Sequence, residues 1–288
     1  MDSNDEARAL VEQAKALEAR SPARAIELYA AAFARSPGNL EAHNALERLD
    51  APQRYGRWML LDCTIDPRDE IYRFFATHPV ARNPVREYLA DGWRTLSELM
   101  LVLESVGRPL TRVGSMLEFA SGFGRFTRHL ARVLPGKVTA ADVQPGSVEF
   151  VKEHFGVEGF HSATDPAELR VPGRYEVVFV LSMFTHLPPH RWQAWLKALC
   201  AAVAPGGLLV FTVHNEAHGR ELGVAYGSDG THFIASSESS ALDAGAYGTT
   251  FTTRAFVERE VAKALPGHTM HYREIAFWAG QDAVVIES

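Results

Sequence analysis

An apolar run from Val113 to Phe119 breaks at Ala120-Ser121-Gly122-Phe123-Gly124, and the chain resumes with Phe126, Leu130, Val133 and Leu134 on one helical face. This strand, tight turn and helix constrain the fold more than any other stretch. Gly122 and Gly124 carry no Cβ, so the backbone can turn sharply and a ligand can press against it. The new helix starts with N–H groups that have no partner within the helix. The outline is that of a nucleotide-type site in an α/β protein.

A dinucleotide site asks for Gly-x-Gly-x-x-Gly, with the last glycine bringing helix and strand close together. Here Thr127 stands in the third place. What the chain offers instead is Glu118-x-Ala120-x-Gly122-x-Gly124, an acidic residue at the strand end followed by small residues at alternate positions. This resembles motif I of the class I S-adenosylmethionine-dependent methyltransferases, with Ala120 in place of the first glycine. The resemblance implies that Glu118 contacts the methionine end of the cofactor and that Ala120, Ser121, Gly122 and Gly124 form its turn. A cationic sulfonium ligand also suits an acidic strand end better than an anionic pyrophosphate does.

Later segments extend the pattern. Lys137 to Asp142 reads as a second strand ending in a carboxylate, ~20 residues past the glycine turn, where an acidic side chain can accept both ribose hydroxyls. Asp142 and the adjacent Val143 are therefore candidate cofactor contacts, although this spacing serves a nicotinamide cofactor equally well. Residues 159 to 165 read as a third strand. In the family the loop that follows supplies a polar group to the adenine amine, which implicates Thr164 or Asp165; Asp165 before Pro166 equally fits a cap for the next turn. Tyr175 to Leu181 is continuously apolar, as a buried parallel strand should be. It leads into Ser182-Met183-Phe184-Thr185-His186-Leu187, placing Leu181 and Ser182 at the cofactor and His186 in the same crevice. The phrases Phe184-Thr185-His186-Leu187 and Ala204-Pro205-Gly206-Gly207-Leu208-Leu209-Val210-Phe211-Thr212 together resemble the class I pattern.

The resemblance covers roughly residues 113 to 288. It implies a Rossmann-like, doubly wound, seven-stranded sheet that ends in an antiparallel hairpin, here Thr269 to Trp278 and Ala283 to Glu287. Residues 214 to 250, rich in glycine and in serine (Ser236 to Ser240), read as an irregular lid or acceptor-binding insert after a central strand. Within it His214 and Tyr247 are candidate acceptor contacts, while scattered loop histidines remain the plainer alternative. For a hydroxyl acceptor, a histidine tuned near neutrality is the natural base, and His186 is the candidate; a packing histidine before Pro188 is the alternative. Metal-dependent small-molecule O-methyltransferases use carboxylates near this loop. Leu181-Ser182-Met183 offers none, so no metal is expected.

Ahead of this domain the chain reads as helical throughout. Residues 1 to 50 are alanine-rich, and Ala25, Tyr29, Ala32 and Pro37 resemble the second helix and closing turn of a tetratricopeptide repeat. This region is either a module for protein docking or self-association, or a hairpin that packs on the enzyme. Residues 51 to 112 form an aromatic-rich helical segment. Helices so placed in the family lie across the active site, which would bring Tyr88 and Trp93 to the acceptor; both fit a core equally well. The 288 residues carry a net charge of −6, so no overall basic field points to nucleic acid or an anionic membrane. The acidic start, Met1 to Glu6, is unlike a signal peptide, and Cys63 and Cys200 read as buried free thiols in a cytoplasmic protein. Residues 113 to 288 are thus expected to methylate a small-molecule, sugar or lipid-linked acceptor, most naturally at oxygen, leaving S-adenosylhomocysteine. A nicotinamide-dependent oxidoreductase and a non-catalytic interaction scaffold are the alternatives.

Overall fold

Alanines at helical spacing let the first three helices approach closely. Helix α1 (Ser3–Leu17) buries Ala7, Val11 and Ala14, and α2 (Pro22–Arg35) answers with Ala25, Leu28, Tyr29 and Ala32. Pro22 opens α2, where a missing N–H costs nothing. Helix α3 (Leu40–Arg48) is capped by Asn39, whose side chain accepts from Ala42 N at 2.9 Å. Short α4 (Tyr55–Met59), α5 (Glu70–Thr77) and the long α6 (Pro84–Glu104) follow. The computed structural model describes residues 3–235 and 246–288, and the chain forms two compact units, Met1–Trp93 and Arg94–Ser288.

Within the first unit a second cluster, built on Cys63, Ile65, Tyr72, Val85, Tyr88 and Leu89, takes Phe33 and Leu40 against it. Polar contacts fasten the same join. His43 Nε2 donates to Cys63 O at 2.8 Å. Asn44 donates to Ile65 O at 2.8 Å and accepts from Ile65 N at 3.1 Å. The extended link around Ile65 is thereby satisfied without belonging to any sheet.

The second unit is an α/β sheet, mostly parallel. Its elements run β1 (Met116–Phe119), α7 (Thr127–Val133), β2 (Val138–Asp142), α8 (Ser147–Phe155), β3 (Glu158–His161), β4 (Tyr175–Val180) and α9 (Trp192–Ala201). Then come β5 (Val203–His214), α10 (Glu216–Glu221), β6 (Thr231–Ile234), β7 (Thr249–Thr252), α11 (Arg254–Ala264), β8 (Thr269–Phe277) and β9 (Gln281–Glu287). Strands β3-β2-β1-β4-β5 pair in parallel in that order. Strand β9 lies antiparallel on β5, and β8 antiparallel on β9.

Alternation along the strands feeds two cores. Leu117, Phe119, Val178, Val180, Leu209 and Phe211 face one layer with α9 and α11. Met116, Val177, Phe179, Leu208 and Val210 face the other, with α7, α8 and the second half of α6. Both faces being covered is why these strands read as unbroken apolar runs. The chain leaves β1 toward β2 and β3 on one side and returns to β4 on the other. The crevice at the carboxyl ends of β1 and β4 is the switch point where such sheets bind ligands.

Among the described residues the sheet has nine strands rather than the expected seven, because part of the segment expected to be irregular is ordered. After β5 come helix α10 and a pair of strands, β6 antiparallel to β7, with β7 joining the end of β5 at His214 and Phe251. The signal was local: Thr249-Thr250-Phe251-Thr252 is a run of β-branched and aromatic residues. Residues 236–245, including the serine run, lie outside the described residues. Strand β5 also starts earlier than the Ala-Pro-Gly-Gly phrase suggests; those residues sit within it as an irregularity in its pairing with β4. Among the described residues no helix is long and apolar enough to cross a membrane.

Asn44→Ala should destabilise the first unit by about 1–3 kcal/mol, because the fully buried Ile65 loses partners for both its N–H and its C=O. Urea unfolding followed by circular dichroism measures this, and an unchanged midpoint would show that the link is held elsewhere.

Candidate active site

The turn after β1 holds three residues in the left-handed region: Ala120 at φ 62°, Gly122 at 55° and Gly124 at 80°. Ala120 bears the strain that glycine would avoid. The two glycines do different work. A Cβ on Gly124 would stand 2.4 Å from the Phe155 ring and 2.9 Å from Val151, so this glycine lets α8 pack against the turn. A Cβ on Gly122 would meet nothing within 4 Å, so its open face is room for a ligand.

Asp142, at the end of β2, is buried and pinned from both sides. Its Oδ2 accepts from Gly122 N at 2.8 Å and its Oδ1 from Gln144 N at 2.7 Å. An ionised carboxylate offers about four acceptor positions in all. Val143 beside it is half-buried.

Glu118 lies inside the sheet, 4% exposed. Burial pushes its pKa up to about 8; the Thr127 hydroxyl opposes the shift, and the Asp142 charge adds to it. Relief from Thr127 is incomplete. Glu118 Oε2 and Thr127 Oγ1 complete no hydrogen bond among the described residues, and neither does the buried Ser121 hydroxyl. Thr127, whose side chain breaks the dinucleotide pattern, thus stands against the acidic residue of the turn. Orphaned buried oxygens beside an open glycine face fit a cationic, hydrogen-bonding ligand.

At the end of β4, Leu181 is half-buried and Ser182 sits at φ 59°. That strained conformation is held from two strands: Ser182 N donates to Thr212 Oγ1 at 2.8 Å, and Gln281 Nε2 donates to Ser182 Oγ at 2.9 Å. Sequence reasoning missed Thr212 and Gln281. The first ends a recognisable phrase, but nothing local marks Gln281.

The loop then brings His186 to the same end of the sheet. Its Nδ1 is 2.7 Å from Gly248 O, its carbonyl accepts from Gly248 N at 2.9 Å, and its ring stacks on Tyr247 with centroids 4.6 Å apart. A carbonyl only accepts, so Nδ1 carries the proton and Nε2 is the basic nitrogen. His214, at the end of β5, is held likewise by Thr250 O at 2.9 Å. The structure therefore brings His186, His214 and Tyr247 together.

Thr164 and Asp165 are exposed; Asp165 accepts from Ala167 N at 2.9 Å, as a turn cap does, and Arg191 donates to Thr164 O. Tyr88 is fully buried in the first unit, its hydroxyl donating to Asp69 at 2.5 Å. Trp93 is 59% exposed on α6.

Residues 116–207 match the family model of a methyltransferase domain. No curated protein matches the chain. Among solved structures the chain is similar to a glycopeptide N-methyltransferase, MtfA, complexed with sinefungin, at 15% identity and a TM-score of 0.50, over 68% of this chain and 93% of that one. It is also similar to the CcbJ methyltransferase from Streptomyces caelestis, at 17% identity and a TM-score of 0.50, over 77% of this chain and 97% of that one. At such identities the likeness is one of fold.

Two outcomes follow from the turn. Glu118 keeps its proton in the fold up to a pH near 8, well above its ordinary 4.5, so between those values the folded chain binds more protons than the unfolded one. This group's contribution to stability falls as pH rises through that window. Glu118→Gln should flatten the slope of the thermal midpoint against pH, and an unaltered slope would show that Glu118 titrates normally. Gly124→Ala should cost about 1–3 kcal/mol through strain and collision with Phe155. Gly122→Ala meets open space but strains its positive φ, so it should cost about 1–2 kcal/mol without a collision and lose S-adenosylhomocysteine binding by calorimetry.

Proposed function

We propose that this chain methylates a hydroxyl group of a small-molecule, sugar or lipid-linked acceptor in the crevice at the carboxyl ends of β1 and β4. It is a methyltransferase, with S-adenosylmethionine as methyl donor and S-adenosylhomocysteine as product. The nicotinamide-dependent alternative gives way to the methyltransferase domain that spans the glycine turn. When bound, the cofactor supplies a methyl group already activated on a cationic sulfur. The protein's task is then placement and proton management, and in-line positioning alone can lower a barrier by ~7–11 kcal/mol.

In this reading Gly122, with Ala120, Ser121 and Gly124 around it, gives the cofactor its close approach. Asp142 takes the ribose hydroxyls, and Glu118 faces the cationic methionine end. Val143, Leu181 and Ser182 complete the walls. The adenine amine falls to Thr164 or Asp165, with Asp165 already partly engaged by its own turn.

His186 is the general base. The observation that carries this is the 2.7 Å contact between its Nδ1 and Gly248 O, which assigns the ring proton to Nδ1 and the basic lone pair to Nε2. Tyr247, stacked on the ring, limits its rotation. The lone pair removes the hydroxyl proton as the acceptor oxygen attacks, and the protonated imidazole passes it to water after product forms.

His186→Asn keeps a side-chain N–H for Gly248 O but removes Nε2. It should lower the methylation rate by ~10²–10⁴ while S-adenosylhomocysteine affinity by calorimetry stays level, and the acid limb of the pH–rate profile should vanish. A rate within a few-fold of the parent chain would remove His186 from the chemistry.

A further inference from the structure

The last hairpin turns in a conformation that its residues disfavour. Strands β8 and β9 pair up to Phe277 and Gln281, leaving Trp278, Ala279 and Gly280 between them. Trp278 sits at φ 50° and Ala279 at φ 60°, two successive residues in the left-handed region. Asn-Gly takes such a turn readily, whereas tryptophan and alanine each carry a Cβ that crowds it. Conformations of this kind persist only where the surroundings hold them, and they cluster at functional sites.

Here the surroundings are the segments that follow β1, β4 and β5. Arg125, next in the chain to Gly124, places its guanidinium 4.9 Å from the Trp278 ring centre, and Trp278 N donates to Glu98 Oε1 at 3.0 Å. Asn215, just past β5, donates its backbone N–H to Gly280 O at 3.1 Å and its side-chain N–H to Ala279 O at 3.2 Å. Gln281, buried, reaches the loop after β4, where its Nε2 donates to Ser182 Oγ at 2.9 Å.

Ser182, itself at φ 59°, has its N–H, its C=O and its hydroxyl all engaged. Ser182 N donates to the hydroxyl of the fully buried Thr212 at 2.8 Å. Its carbonyl accepts from Thr185 N at 3.2 Å and from Thr185 Oγ1, and its hydroxyl pairs with the Gln281 amide. Neither Thr212 nor Gln281 is needed for the core. Their strand neighbours Phe211, Val213, Ala283 and Val284 are apolar and buried, and an apolar pair of similar shape in their place would be nearly neutral or stabilising. What the two polar groups supply is the geometry of Ser182.

We infer that Thr212 and Gln281 are positioning residues for the cofactor. They fix the Ser182 turn before the cofactor arrives, and the strained hairpin tip refers that turn to the glycine turn through Trp278 and Arg125. The inference rests on the methyltransferase reading above, with Ser182 in the cofactor's wall, and adds two residues that act on the ligand only through Ser182.

The test uses the full chain and S-adenosylhomocysteine, with affinity read by calorimetry well below each variant's own thermal midpoint. Gln281→Met keeps the length of the side chain and removes its amide, while Ser182→Ala breaks the same link from the other end. Each should weaken S-adenosylhomocysteine about tenfold. The double variant should bind no worse than the weaker single one, because both changes break one connection. A Gln281 with a merely structural role would lower the thermal midpoint and leave affinity level, or would add its effect to that of Ser182→Ala; either result overturns the inference. Thr212→Val keeps the β-branched shape on its strand and strips the hydroxyl, so it decides the matter even where Gln281→Met does not fold. It too should weaken binding about tenfold, and unchanged affinity would overturn the inference. Failure of the methyltransferase reading would show separately, as failure of the parent chain to bind S-adenosylhomocysteine.

Discussion

The carboxylate of Asp142 is the tie on which the crevice depends. One oxygen holds the amide of Gly122 and the other the amide of Gln144, while the residue's own carbonyl accepts from Ser162 N at 2.9 Å. The turn after β1, the turn after β2 and the end of β3 are thus referred to one residue. The tie matters because the turn after β1 is strained. Ala120 adopts a conformation that side chains disfavour, and such residues persist only where the surroundings over-determine them. A charge-assisted bond from Asp142 is one such determinant, and Ser121 N on Ala141 O at 3.1 Å is a second.

The same carboxylate shapes its neighbour. Glu118 and Asp142 end adjacent strands of an apolar parallel sheet, and the Asp142 charge adds to the burial that keeps Glu118 protonated. Holding one proton is how the fold tolerates two buried acids. It also explains why the turn suits a cation. A positive group beside Glu118 would favour its ionised form and meet an orphaned oxygen, whereas a pyrophosphate would place negative charge beside negative charge. Thr127 contributes by denying the turn its third glycine and by placing a hydroxyl against Glu118 in that glycine's stead.

Much of this was legible in the sequence where the physics is local. The glycine turn, the apolar runs of β4 and β5 and the acid at the end of β2 announce themselves by composition and spacing. The second role of Gly124 was not, because it depends on Phe155 and Val151, about thirty residues downstream. Gln281 escaped notice for the same reason, since it reaches Ser182 only once β9 lies on β5. An aromatic residue at helical spacing, such as Tyr88, reads alike in a core and in a pocket, and its bond to Asp69 depends on a partner 19 residues back. The segment after β5 looked irregular because its glycines and serines mask a β-rich tetrad whose partner, Thr231–Ile234, lies well back in the chain.

That segment marks a division of labour in the fold. The parallel sheet fixes where His186 and His214 stand, since both emerge at the carboxyl ends of adjacent strands. It does not fix which ring nitrogen is basic, because no strand hydrogen bond reaches an imidazole. That choice comes from Gly248 and Thr250, which the chain returns to the crevice only after β6 has turned it back. A histidine's usefulness depends on its tautomer as much as its place. As base, His186 would draw its tautomer from Gly248 O, as His214 draws its own from Thr250 O, so the segment that carries both carbonyls would serve the proposed chemistry.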